Sequence, residues 1–391
     1  MKDLNLDDIN KYVIFKQHLS EKHKSNNVLG IIEDLCGLHS TGTMEPYIAL
    51  FQRSKIFTKK DLETELYEKK SIARVKCMRK TLFIQRKEMI PIVYAAINPS
   101  IISNINRYFK YFGISQLDYS NLANQIKKLL KVKELSTSEI KKSVSSEINL
   151  SQIISLMADQ LILLRTKPVK GWKDRRSKYT LFTNYFPQLD LKKFTEQEAI
   201  NILVENYIKA YGPVSEKDIA WWSGLGKQKI RKGLKSIEED LEKLTLQQGS
   251  IEYMMNKDDL IAMNGYSDDN EKIINLLPLL DSYIMGYKDR GRYIDESNYF
   301  YAFDKSGNST STIILNGRII GIWDVLEKPK PMIKIFLFKS HTEEILEKIH
   351  REALKLGKFI TGKEVAIYKC KSMIPLNEKT AGSFMKPLKD S

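Results

Sequence analysis

The order of elements between residues 195 and 254 constrains this chain more than any other feature. Thr195-Glu-Gln-Glu198 has the T-x-x-E form of a capping box, where both side chains satisfy free amides of a helix's first turn. Ala199, Ile200, Leu203, Val204, Tyr207 and Ile208 then recur at three-to-four spacing, which predicts one buried face. Gly212-Pro213 ends the helix. Ser215-x-x-Asp218 opens a second one, with Ile219, Trp222 and Leu225 inward. After Gly224 and Gly226, a third turns Ile230, Leu234 and Ile237 to the core and Lys229, Lys232 and Lys235 away from it. Two β-compatible runs follow, 244–246 and 251–254, around a Gln-Gln-Gly-Ser turn.

Helix, helix, helix, hairpin is the winged helix-turn-helix order, and it occurs again upstream. Leu122, Ile126, Leu129 and Leu130 mark one helix. Ser136-x-x-Glu139 opens a second, and Leu150, Ile153, Ile154 and Met157 mark a third. A strand at 161–164 runs through a basic stretch, 167–178, into a strand at 179–182. An earlier unit has a helix after Thr58-x-x-Asp61 and a strand pair within 72–84, with Arg79-Lys80 near its middle. Beyond about residue 272, short strands replace helices, at 299–303, 312–315, 318–323 and 332–338. Asn316-Gly317 is a strong hairpin signal. One amphipathic helix, 342–356, is expected to stop at Gly357. The expected fold class is α+β: tandem winged helix-turn-helix units followed by a C-terminal β-rich domain. The expected units are 1–112, 113–190, 191–271 and 272–391.

Charge narrows the partners. Lys plus Arg number 63 against 48 for Asp plus Glu, a formal net charge of +15, and such a field favours nucleic acid. An anionic membrane is a weaker candidate, because no amphipathic helix has an exposed aromatic face. The three cysteines, Cys36, Cys77 and Cys370, form no CxxC pair, which argues against a disulfide framework or a Cys-based zinc site. The N-terminal residues lack the apolar core of a signal peptide, and no apolar run reaches the roughly 20 residues of a membrane span. A cytoplasmic, monomeric protein without metal or cofactor is expected.

Several motif fragments carry no chemistry. Gly357-x-x-x-x-Gly362-Lys363 is followed by Glu364 rather than Ser or Thr, and a helix precedes it where a P-loop needs a strand. Gly224-x-Gly226 has no third glycine, and the five histidines are scattered. The basic stretch is more informative. Lys167, Lys170, Lys173, Arg175, Arg176 and Lys178 stand against one acid, Asp174, and suit DNA phosphates. Trp172 at that tip is expected to stack on a base or wedge a groove, or else to pack back on the sheet. Arg79, Lys80, Lys229, Lys232 and Lys235 complete the expected DNA contacts. Trp221-Trp222 reads as core. Gly37-Leu-His-Ser-Thr-Gly42 closes a helix carrying Val28, Ile31, Ile32 and Leu35, and sets His39 and Thr41 at a tight turn.

Taken together, seven segments resemble the winged-helix DNA-binding family that contains the AlkZ-type interstrand-crosslink DNA glycosylases. They are Gly37–Thr41, Met78-Arg-Lys-Thr-Leu-Phe83, Tyr211-Gly-Pro-Val-Ser215, Trp221-Trp-Ser-Gly-Leu225, Leu276-Leu-Pro-Leu-Leu-Asp281, Gly286-Tyr-Lys-Asp-Arg290 and Gly317-Arg-Ile-Ile-Gly-Ile-Trp323. The resemblance implies a C-shaped clamp on duplex DNA and excision of N7-alkylated purines or unhooking of crosslinks. It also implies a catalytic Gln-x-Gln or Gln-x-Asp motif, and here His39 and Thr41 occupy those positions. A neutral His39 with a pKa near the physiological range could orient water and accept its proton, with Thr41 holding the same water. The alternative is a non-catalytic DNA-binding protein, a regulator or lesion sensor, in which these residues shape a turn or touch phosphate.

Overall fold

The computed structural model describes residues 5–245, 252–267 and 271–378. It is a mixed α+β protein. The first segment contains α1 (Leu6–Lys16), α2 (Val28–Asp34), β1 (Leu38–His39), α3 (Glu45–Arg53), α4 (Lys59–Glu63), β2 (Ile72–Lys76), β3 (Leu82–Arg86) and α5 (Ile90–Ile102). The next contains α6 (Ile105–Phe112), α7 (Gln116–Val132), β4 (Leu135–Ser136), α8 (Thr137–Ser143), α9 (Leu150–Asp159), β5 (Leu163–Pro168), β6 (Ser177–Leu181) and α10 (Phe182–Tyr185). Then come α11 (Glu196–Tyr211), α12 (Glu216–Ser223), α13 (Lys227–Ser236), β7 (Leu241–Thr245), β8 (Glu252–Asn256) and α14 (Lys257–Gly265). The last segment holds β9 (Ile274–Leu277), α15 (Tyr299–Ala302), β10 (Thr312–Leu315), β11 (Arg318–Leu326), β12 (Met332–Leu337), α16 (Glu343–Thr361) and β13 (Ala366–Lys369).

Local chemistry sets the helix starts. Thr58 with Asp61, Ser136 with Glu139, Thr195 with Glu198 and Ser215 with Asp218 all form reciprocal capping boxes. The α11 face buries Ala199, Ile200, Leu203, Val204, Tyr207, Ile208 and Tyr211. At about 1.5–3 kcal/mol for each fully buried large apolar side chain, that face outweighs the helix's intrinsic propensity. The strand pair β7–β8 forms as expected, but its turn, residues 246–251, lies outside the described residues.

Pairing joins the first two segments. A six-stranded sheet runs β1-β3-β2-β5-β6-β4, so the strands of both meet edge to edge where β2 pairs antiparallel with β5. The fourth segment builds its own five-stranded sheet, β13-β12-β11-β10-β9, packed against α16. Residues 105–181 keep a core of their own around Ile126, Ile140 and Ile153. Another core runs continuously through the first, third and fourth segments and takes in Leu161, Leu164, Phe182 and Tyr185 of the second. Across that junction, Arg53 and Asp281 form a bidentate ion pair, 2.8 Å in both contacts, with neither side chain exposed to solvent.

Two local expectations are corrected. The run at 299–303 is a short helix, α15, rather than a strand. Its Tyr299 and Phe303 rings stack 5.0 Å apart, an i,i+4 contact that a helical turn provides and a strand does not. Helix α16 runs through Gly357 and stops at Gly362, which takes the left-handed conformation (φ 71°). A Cβ at Gly357 would lie 2.3 Å from Val365, so this glycine admits the β13 approach instead of ending the helix. The Asn316-Gly317 turn is as expected, with φ 50° and 82° at its two residues.

Candidate active site

The turn that carries His39 is fixed from three sides. Helix α2 ends at Leu35, and Cys36 (φ 53°) and Gly37 (φ 105°) then turn through the left-handed region. A Cβ on Gly37 would come within 2.3 Å of the Gln85 amide, which donates to the Cys36 carbonyl at 3.1 Å. The Tyr211 hydroxyl donates to the Leu35 carbonyl at 3.0 Å, and Ser282 Oγ to the Gly37 carbonyl at 3.4 Å. Strand β1 then pairs with β3, Leu38 opposite Ile84 and His39 opposite Phe83. Three distant parts of the chain thus hold one short edge strand.

The His39 ring lies 4.8 Å from the Phe83 ring and is only 6% exposed. Its Nδ1 has no hydrogen-bond partner, and neither does the buried Ser40 Oγ beside it. Burial, with a further push from the Arg79 guanidinium, pulls the imidazole down to about 3. This corrects the expected pKa near the physiological range. His39 is neutral at pH 7 and a weak base, able to orient water but poor at accepting its proton. Thr41 lies past the end of β1, is exposed, and forms no side-chain hydrogen bond among the described residues.

Arg79, one of the expected phosphate contacts, is turned toward Trp221. It sits in the β2–β3 turn at φ 52°, half-buried, with its guanidinium 4.0 Å from the Trp221 ring centre. Arg290 lies 4.5 Å from the same ring. Burial and the Arg290 charge lower Arg79 to about 10. Trp222 is core, its ring 4.7 Å from that of Tyr207 and tilted to it, whereas Trp221 is a platform for two guanidiniums next to the His39 turn. Sequence reading missed that role for Trp221 and Arg290, because the residues are far apart in the chain.

The basic hairpin, β5 and β6 with their connection, folds back on the first segment. Trp172 packs edge-on against Tyr47 at 5.1 Å and near Phe359 at 6.0 Å, with the Lys59 ammonium 4.5 Å over its ring. The ring is engaged in internal packing on helices α3 and α16, rather than back on the sheet as in the second of its two expected roles. Lys173 pairs with Glu327 and Arg176 with Asp174, at 2.7 and 2.9 Å, and Lys229 pairs with Glu196 at 2.5 Å. Lys80, Lys167, Lys170, Arg175, Lys178, Lys232 and Lys235 form no ion pair among the described residues. All of these except the half-buried Lys178 are exposed.

A cavity of about 490 Å³ lies behind the His39 turn, lined by Tyr12, Lys16, His23, Gln85 and Lys209 among others, but not by His39. Among the described residues no group of His, Cys, Asp or Glu is placed to hold a metal ion, and no helix is long and apolar enough to cross a membrane.

Comparison with known proteins decides the family. The family model described as DNA glycosylase AlkZ-like matches residues 32–359, most of the chain. The chain belongs to the AlkZ-like DNA glycosylase family. The solved structure of Streptomyces sahachiroi DNA glycosylase AlkZ matches this AlkZ-like chain with a TM-score of 0.76 at 15% identity. The match covers 94% of this chain and 100% of that one, and at that identity it establishes the shared fold. No curated protein matches by sequence.

Proposed function

We propose that this AlkZ-like chain is a DNA repair glycosylase that grips duplex DNA with tandem winged helices and excises N7-alkylated purines, or unhooks crosslinks through the same bond. Helix, helix, helix, hairpin in 113–190 and in 191–271 supports the winged-helix reading. The unpaired cations on the hairpin and on α13 support a phosphate-dominated contact, with the first and fourth units, 1–112 and 272–391, closing the clamp.

One observation carries the catalytic reading: a neutral, buried imidazole with an unpartnered Nδ1 sits on an edge strand, where the family's catalytic Gln is expected. Alkylation at N7 gives the purine a positive charge. As the C1′–N9 bond breaks, its electron pair moves to the base and neutralises that charge. Water then adds to C1′ and loses its proton to solvent. The work left for the protein is to orient water and stabilise an oxocarbenium-like sugar. His39 hydrogen-bonds the water as a Gln would, and Thr41 supports from the exposed side. Arg79 and Arg290 counter the phosphates flanking the lesion. The reaction needs no cofactor, and a monomer in the cytoplasm suffices for it.

The low exposure of His39 favours one second reading, a lesion-binding protein without chemistry. The test is to incubate the protein with duplex containing N7-alkylguanine, treat with alkali, and look for strand breaks. Breaks at the lesion support excision. Tight binding without breaks supports the second reading.

A further inference from the structure

A second polar cluster lies on the other face of the six-stranded sheet. Leu38, Ile84, Arg74, Arg165 and Tyr179 are directly paired across five strands, so their side chains share one side. His39 and Phe83, one residue along, point to the opposite side. Arg74 is 6% exposed, and its Nε and Nη2 have no hydrogen-bond partner. The Nε of half-buried Arg165 and the Tyr67 hydroxyl are buried and unpartnered as well. Neither arginine forms an ion pair among the described residues.

Three carboxylates border this cluster, and none of them closes an ion pair with Arg74 or Arg165 among the described residues. Glu134 accepts the Thr166 hydroxyl at 2.7 Å, and Glu63 accepts the Tyr47 hydroxyl at 3.4 Å. Burial raises the Glu45 carboxyl, against the pull of Arg175 and Arg74. The basic hairpin roofs the cluster, with Lys167 5.8 Å from the Tyr67 ring and Trp172 seated on Tyr47. Unmade hydrogen bonds on a buried guanidinium are costly, and two such forks match the oxygens of a phosphate.

We propose that Arg74 and Arg165, with the Tyr67 hydroxyl, form a phosphate-binding site beneath the basic hairpin. The phosphate comes from the DNA backbone or from a free phosphate compound. The first source rests on the DNA reading above, and the second does not.

The test titrates full-length protein with inorganic phosphate by calorimetry against chloride at matched ionic strength. Wild type is expected to bind one phosphate, and Arg74→Gln and Arg165→Gln each to weaken it about tenfold to a hundredfold. Should Arg74→Gln fail to fold, the half-buried Arg165→Gln decides alone. Absence of phosphate binding by wild type, or unchanged binding in Arg165→Gln, overturns the site. A second arm measures duplex affinity across salt concentrations. If Arg165→Gln lowers the slope of log K against log salt by about one, the ligand is a backbone phosphate. Lost phosphate binding with an unchanged slope assigns the site to a free phosphate compound. Wild type that takes phosphate but not duplex overturns the DNA reading and leaves the site standing.

Discussion

At the residue scale, His39 shows how a tertiary contact changes chemistry. The small-residue turn after an apolar helix was legible, and His39 lies on the edge strand β1 directly after that turn. Its protonation was not, since Phe83 and Arg79 reach it only through the β1–β3 pairing. With the folded pKa near 3 and an ordinary value of 6.5, the proton binds the unfolded chain first. Below pH 6.5 the folded state therefore loses stability at this residue, roughly 1.4 kcal/mol per pH unit until about pH 3. Urea titrations at pH 4.5 and 7 should show a smaller loss for His39→Gln than for wild type. The excision rate should show no inflection near 6.5 between pH 5.5 and 8. An inflection there, abolished in His39→Gln, would mean that the imidazole titrates as a general base.

At the element scale, local signals did best. The four capping boxes and the Asn316-Gly317 turn rest on neighbours in sequence, so they were readable without the fold. Gly357 was misread because its reason is Val365, in the connection just ahead of β13. The docking of the basic hairpin through Trp172 onto Tyr47 and Phe359 was likewise hidden. That docking sorts the hairpin's cations. Replacing Lys170, Arg175 and Lys178 by Ala should weaken binding to all duplex sequences alike, because phosphate contacts carry no sequence information. Arg176→Ala should do less, since its guanidinium is already held by Asp174. Anisotropy titrations on two unrelated duplexes check this, and an effect confined to one duplex would indicate base readout.

At the scale of the whole molecule, the α+β class could be read from periodicity and caps. The single sheet uniting the first two segments could not, because it depends on β2 meeting β5. The Arg53–Asp281 pair was equally invisible, although Asp281 ends a family-like segment. Asp281→Asn leaves Arg53 buried without its counter-charge and should cost about 3–5 kcal/mol in urea unfolding, while exchanging both for apolar residues should recover most of it. The +15 charge predicts that duplex affinity falls about 10³-fold between 50 and 200 mM salt if about six phosphates are neutralised. An affinity nearly constant over that range would rule out a phosphate-dominated clamp. The central claim is that a neutral His39 orients the water that completes base excision. Single-turnover excision from an N7-alkylguanine duplex by wild type and His39→Ala, with affinity measured on the same samples, tests it most directly. Wild type is expected to give abasic sites, and the variant a rate lower by about 10²-fold with affinity changed less than about twofold. Equal rates in the two proteins, or tight binding by wild type with no abasic sites, would contradict it.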